Sequence, residues 1–407
     1  MKKRFYSVIG VFFLLCCIFT NEITIKCQAE DTNESCVNRV ILDADDFDTL
    51  EEYQTYLEQN PWAVSNVISN RTVQQRVKSS NQIAQHRYAL NNLSHTGLPI
   101  QKTYIDGNYI YVLRYSRINY PNYNYFNTNS YMSRYYVDWN TYSAVYMDCM
   151  VLENFGHGQT LEFFSRNGQT YFWVACKDAF INEDSPRWAI QIGRMKYVPG
   201  ATIRYTSIPR LSSIIHANKN GNFPLSGTIK RTDTALSPDS KTLFIWSKST
   251  TNNMQFSFYD AEKLNKLLDA KENQSSKYIA CTSEDVKKAN LSSFTKAASS
   301  NILPYSNIDQ ASFQGADIDN KKNIYIIGGA RGQLPLIHKV SSEGTVLKAI
   351  TVSGTDNSNS PFPQNGEPEG IQLLGDSLYF VYYNGSYGVN SSGEIQYIYS
   401  IPVFSFN

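Results

Sequence analysis

The residues best placed for chemistry are polar side chains at the heads of repeated hydrophobic stretches. Gln101, Gln159, Gln314 and Glu369 each open such a stretch at a comparable position. Three amides and a carboxyl gathered around one opening could hydrogen-bond a ligand's hydroxyls, or could simply solvate a water-filled channel. His157, in Gly156-His157-Gly158-Gln159, directly precedes one of them. It is a candidate ligand-binding or acid–base imidazole, a surface or turn histidine being the plainer reading. Glu162, Asp317 and Glu369 are acids that could converge on the same channel, as a lyase or lactonase mechanism would require. Asp317, Asp319 and Asn323 look like half a calcium loop. They lack the spacing and final glutamate of an EF-hand, and hairpin-turn chemistry explains them as well, so no metal and no cofactor is expected.

A second constellation is aromatic. Residues 104–146 hold twelve of the 29 tyrosines, and Arg117–Arg134 reads RINYPNYNYFNTNSYMSR. Tyrosine and asparagine together make a surface that both stacks and hydrogen-bonds. Tyr120, Tyr123 and Tyr125 are therefore candidate contacts for sugar rings, the alternative being an aromatic hairpin extension lying on the sheet. The chain has no G-x-S-x-G, no H-E-x-x-H and no P-loop, and Gly328–Gly332 is only a glycine-rich turn.

Five similar stretches must position these residues: Gln101–Tyr115, Gln159–Lys177, Thr232–Lys248, Phe313–Gly329 and Glu369–Tyr383. Each turns on Gly, Asn, Asp or Ser-Pro and then runs apolar and aromatic, which is the signature of a β-hairpin. Degenerate copies of one hairpin imply a repeat, and each hairpin needs a larger sheet to be stable. The expected fold is all-β: a five-bladed β-propeller with a short helical N-terminal extension, a long sandwich being the alternative. Asp260–Asp269 reads as a short helix with Leu264, Leu267 and Leu268 on one side, and residues 272–300 as a helix-bearing insertion. Ile395–Val403 is expected to be a terminal strand that completes a blade begun at the other end of the chain.

Residues 1–29 read as a signal peptide. Lys2, Lys3 and Arg4 are followed by an apolar stretch and by Cys27-Gln28-Ala29, so secretion is expected, with no membrane span after removal. Residues 30–92 form an acidic, then basic extension. Phe47, Leu50 and Leu57 mark one helix, and a second is expected within residues 62–91. The leader holds four bases and one acid, so the +1 of the whole chain becomes about −2 without it. Residues 30–60 carry ten acids against Arg39, which leaves about +7 on residues 61–407. That excess suits an anionic cell-surface polymer but is too diffuse for nucleic acid. Cys36, Cys149, Cys176 and Cys281 follow the leader without any C-x-x-C, and at most one disulfide is expected. The propeller domain itself is expected over residues 93–407.

Several motifs, in collinear order, resemble the helveticin J family of large bacteriocins. They are GHGQTLEFF (Gly156–Phe164), RWAIQIGR (Arg187–Arg194), IPRL (Ile208–Leu211), ALSPDSKTLFI (Ala235–Ile245), FYDAEKLNKLLD (Phe258–Asp269), FQGADIDNKKNIYI (Phe313–Ile326) and EPEGIQLLGDSLYFVYY (Glu367–Tyr383). The resemblance implies a secreted antibacterial propeller. The family is also similar to propeller heads of phage receptor-binding proteins that recognise wall teichoic acid, so the implied partner is a bacterial surface glycopolymer. The family offers no catalytic residues to carry over, and its shared core lacks the leader and extension found here. A non-toxic, lectin-like wall-binding adhesin is the alternative function, and a propeller lyase or lactonase a further one.

Overall fold

The computed structural model describes residues 79–95, 97–120, 125–179, 187–221, 223–297, 300–306, 312–354, 362, 366–383 and 395–407; the side chains of 79, 117–120 and 125–127 are not among those described. The leader and the acidic stretch expected to be helical fall outside these residues.

The described chain is mostly β, and each of the five expected hairpins is present. The first pairs Ile100–Asp106 with Tyr109–Tyr120. The second pairs Glu162–Arg166 with Gln169–Asp178, the third Ile229–Leu236 with Thr242–Ser249, the fourth Gly315–Ile318 with Ile324–Gly328, and the fifth Glu367–Leu374 with Ser377–Tyr383. Local chemistry fixes the turns. Asn167 and Gly168 hold φ of +51° and +71°, the left-handed pair that matches the twist of a two-residue hairpin. Asp319 accepts from the amides of Lys321 and Asn323 at 2.9 and 2.8 Å, which accounts for the apparent half calcium loop as turn chemistry.

Each hairpin is the inner part of an antiparallel run. Tyr125–Asp138 and Ser143–Glu153 extend the first, Ala189–Lys196 and Arg210–Ser212 the second, Asn253–Asp260 and Asn290–Ala297 the third, and Leu336–Val340 and Val346–Ser353 the fourth. The fifth takes Gln396–Pro402 from the end of the chain and Gln85–Asn91 from near its start. Gln85–Asn91 also pairs in parallel with Ser143–Glu153, so the first and fifth runs form one continuous sheet. Ser79–Ile83 adds in parallel to Val346–Ser353. The helix expected within residues 62–91 is thus overturned over residues 79–91, which are strands. Alternation explains this: Tyr88 and Leu90 are buried while Arg87 is exposed, the period of two of a half-buried strand. The insertion expected to bear a helix over residues 272–300 does so, at Glu284–Ala289, and then ends in a strand, Asn290–Ala297.

The second strand of each hairpin is buried on both faces, which is why it reads as an unbroken apolar run rather than an alternating one. Tyr111 and Leu113 pack with Phe172 and Val174 of the second run, while Ile110 and Val112 pack with Val381 and Ile398 of the fifth. Trp173 and Ala175 meet Leu243 and Ile245 of the third run, and Phe244 and Trp246 meet Ile324 and Ile326 of the fourth. Tyr325 and Ile327 then meet Leu378 and Phe380 of the fifth. Five apolar clusters therefore join the runs in succession and return from the last to the first, giving a β-propeller-like ring.

Helix α1, Ala261–Glu272, buries Leu264 and Leu268 in the cluster between the second and third runs, as its spacing predicted. Asp260 caps it, accepting from the Lys263 amide at 2.9 Å. Buried Arg194 holds its other end, donating to the Asn265 carbonyl at 3.0 Å and pairing with Asp269 at 2.8 Å. Asp260→Ala should lower stability by about 1 kcal/mol; a shift of the urea midpoint checks this, and an unchanged midpoint would remove the cap from the account.

Candidate recognition site at the axial mouth

The first strands of the runs line the axis, and their polar residues lie in two layers. The deeper layer is ionic. Lys102 reaches Glu162 at 3.0 Å, with side-chain exposures of 0% and 1%, and donates as well to the Ile371 carbonyl. Asp317 accepts from the amides of Leu373 and Ile318 at 2.6 and 2.7 Å. Burial pushes the Glu162 carboxyl up to about 8, with Lys102 pulling against it and Asp317 adding to the rise. Burial likewise raises Asp317 to about 6, again against the pull of Lys102. Tyr104, above whose phenol Glu162 and Asp317 both add to the effect of burial, and Gln372, which exchanges hydrogen bonds with the Ile105 backbone at 2.7 and 2.9 Å, complete the layer. These groups join the first strands of neighbouring runs. They are framework, and all but Tyr104 are sealed from solvent.

The upper layer contains the residues singled out in the sequence. Gln159 donates to Gln314 at 2.5 Å and to Glu369 at 2.6 Å, and accepts from Arg231. Gln314 donates to Glu367, and Arg231 pairs with Asp233 at 2.9 Å. Asp233 also accepts from the Gln159 amide at 2.8 Å and the Thr160 hydroxyl at 3.0 Å. Gln101 bonds the His157 imidazole Nε2. Gln159, Gln314 and Glu369 are thus bonded to one another, whereas Gln101 is bonded to His157. Instead of solvating an open channel, all four are buried. Burial and neighbouring Glu367 raise Glu369 well above the usual carboxyl range, against the pull of Gln159 and Arg231.

Across this layer runs a stack of flat groups. Tyr115 lies on His157 at 4.6 Å, His157 on Trp188 at 4.1 Å, and the Arg231 guanidinium over the other ring system at 3.8 Å from the Trp188 centroid. Behind Arg231, Trp246 and Phe313 stack at 4.0 Å. The His157 loop is pinned to Trp188 by backbone bonds, His157 N to the Arg187 carbonyl at 2.8 Å and Ala189 N to the His157 carbonyl at 3.1 Å. Burial, with Arg231 adding to it, pushes His157 down to about 3, so the imidazole is neutral. Tyr115, His157 and Trp188 are only partly buried, whereas the amides below them are closed off. The arrangement offers the partly exposed rims of three stacked aromatic groups, backed by the buried Arg231 guanidinium. It holds His157 against an amide rather than a hydroxyl or thiol, which is recognition chemistry rather than nucleophile activation.

A family model, that of bacteriocin helveticin-J, matches residues 74–359. The chain belongs to the helveticin J family. No curated protein matches its sequence. Solved structures to which it is similar include a tail fibre of a Staphylococcus aureus phage, 12% identical with a TM-score of 0.47, covering 79% of this chain and 54% of that one. The chain thus spans about half the length of that fibre. A periplasmic gluconolactonase of Pseudomonas aeruginosa is 10% identical with a TM-score of 0.32, covering 74% of this chain and 72% of that one. The catalytic domain of a Coprinopsis cinerea α-L-arabinofuranosidase is 10% identical with a TM-score of 0.35, covering 79% and 97%.

In this helveticin J family chain, the expected tyrosine contacts fall largely outside the described residues. Tyr120 and Tyr125 face each other in register at the end of the hairpin made by Tyr109–Tyr120 and Tyr125–Asp138, but their side chains are outside the described residues, as is Tyr123 altogether. Cys149, Cys176 and Cys281 are free, Cys176 being buried as expected in its apolar strand. Among the described residues no group of three or more His, Cys, Asp or Glu side chains is placed to hold a metal, and no helix is long and apolar enough to cross a membrane.

Proposed function

We propose that this chain is a secreted bacteriocin-like protein whose runs are the blades of a five-bladed propeller, and that the propeller binds a bacterial surface glycopolymer at its axial mouth. The observation that carries this reading is the partly exposed Tyr115–His157–Trp188 stack, backed by the buried Arg231 guanidinium and bonded amides. The rims of such stacked aromatic groups suit the CH faces of sugar rings. Membership of the helveticin J family supports the antibacterial part of the reading and, with it, secretion. The tyrosine-rich hairpin leading to Tyr120, Tyr123 and Tyr125 is proposed as an accessory contact, and residues 30–78 as the remainder of the N-terminal extension.

The test is binding of purified protein, beginning at Glu30, to Gram-positive cell walls before and after teichoic acid extraction, beside a growth assay on the same strains. Retention lost on extraction, with growth inhibition, supports the full reading. Retention without inhibition favours a wall-binding adhesin. No retention on any wall overturns the recognition function.

A further inference from the structure

The third run carries a second, unassigned cavity on its outer side. Its walls are the strands Asn253–Asp260 and Asn290–Ala297 together with residues 218, 220 and 223–226, and its volume is about 480 Å³, within the usual range of small-ligand sites. Gln255 lies in its wall with 1% exposure. The Gln255 carbonyl accepts from Asn218 Nδ2 at 3.0 Å, but among the described residues its own Nε2 has no partner. A buried amide donor left unpaired is destabilising, which an acceptor entering from outside would relieve.

The surroundings are organised rather than incidental. Asn218 is locked by donating to the Phe223 carbonyl at 2.7 Å and accepting from the Asn220 and Gly221 amides at 3.1 and 2.8 Å. Asn253 Nδ2 donates to Ser226 at 2.6 Å. Phe223, at the rim, is 71% exposed, while Phe294 is stacked on Phe256 at 4.7 Å and forms part of the wall. An exposed ring beside fixed amides and hydroxyls matches one face of a pyranose together with its polar rim. Among the described residues Lys296 is the one charged side chain in the lining, beside the amides and hydroxyls of Asn218, Asn253, Gln255, Ser226, Ser293 and Thr295, while Lys287 and Lys288, outside it, pair with Glu284 and Asp285. With neutral polar groups outnumbering that one cation, a sugar fits better than a phosphate.

We propose that this cavity binds a neutral pyranose unit of a glycan. A hydroxyl or N-acetyl oxygen accepts from Gln255 Nε2, and the ring stacks on Phe223. Every residue involved belongs to the third run or to the segment just before it, and none to the axial mouth. The site therefore stands whether or not the axial reading does. With both sites occupied by one polymer, weak contacts would reinforce each other through raised effective concentration.

Saturation-transfer NMR on the protein from Glu30, with glucose, N-acetylglucosamine and glycerol 3-phosphate as separate probes, tests this. At least one hexose is expected to bind the Trp188→Ala protein, in which the axial mouth is disabled, with affinity at least about tenfold weaker when Phe223→Ala or Gln255→Leu is added. Phe223 is exposed, so its variant keeps the test valid if Gln255→Leu fails to fold. The proposal is overturned if neither hexose binds the Trp188→Ala protein, if only glycerol 3-phosphate binds it, or if hexose binding survives the addition of Phe223→Ala in that background.

Discussion

Lys102→Met should lower the unfolding free energy by about 3–5 kcal/mol at pH 8, and by much less at pH 4.5. The reason lies in the deeper layer at the axis. Lys102 is the cation between the buried carboxyls of Glu162 and Asp317, and its stem lies against Gly370, where an added Cβ would meet Lys102 Cδ at 2.7 Å. Removing the ammonium leaves the carboxyls without compensation wherever they ionise, and leaves the Ile371 carbonyl without its donor. The sign with pH follows from the direction of the shifts. Glu162 and Asp317 are raised in the folded protein, to about 8 and about 6, so folding favours their protonated forms. Their contribution to stability is complete below the unfolded value of about 4 and is lost as pH rises through about 6 and about 8. The native protein should itself weaken over that interval. The variant, lacking the charge that opposes the rise, should weaken more steeply. Guanidinium unfolding midpoints at the two pH values decide the matter. A deficit below about 1 kcal/mol at pH 8, or an equal deficit at both, would show that the layer is held by packing rather than by charge.

How far this layer is legible in the sequence depends on the pleat. Gln159 and Glu162, Gln314 and Asp317, and Glu369 and Gln372 are all three residues apart, as are Gln101 and Tyr104. A regular strand would send such pairs to opposite faces, so the period of two hides their common destination. The ladder is broken between them: the register shifts between Ile100 and Lys102 and between Glu369 and Ile371, while Gln159 and Gln314 precede their strands. Gly370, at φ +58° and with its amide bonded to the Gln314 carbonyl at 2.8 Å, shows how closely the first strands approach there. The repeated three-residue offset was therefore the available signal for the second layer. Arg231 had a signal too. It occupies the leading polar position of the third run, but a hairpin read from Thr232 begins one residue too late to include it. Trp188 had none, because its place in the stack depends on a pairing with the distant His157 loop. The five hairpins were legible for the opposite reason: turn residues and doubly buried second strands are local and need no partner to be recognised.

Trp188→Ala should weaken binding to cell walls by about 10- to 100-fold while shifting the unfolding midpoint only slightly. Trp188 is stacked with His157 at 4.1 Å and carries the Arg231 guanidinium at 3.8 Å from its centroid. Removing the ring takes away its exposed rim and also the support that holds His157 and the guanidinium. It is partly exposed, so little core packing goes with it. Trp188→Phe keeps a flat face and should recover part of the loss, which separates stacking from mere bulk. Arg231→Met should be worse for stability than for the stack, since it strips the partner from buried Asp233 and from Gln159. The pattern expected of a recognition site is therefore specific: Trp188→Ala loses affinity with its fold intact, Trp188→Phe is intermediate, and Arg231→Met loses both. Binding isotherms on isolated walls, run beside denaturant melts of the same three proteins, measure both quantities. Undiminished retention of a folded Trp188→Ala protein would remove the axial mouth as the binding surface and turn attention to the tyrosine hairpin beyond it.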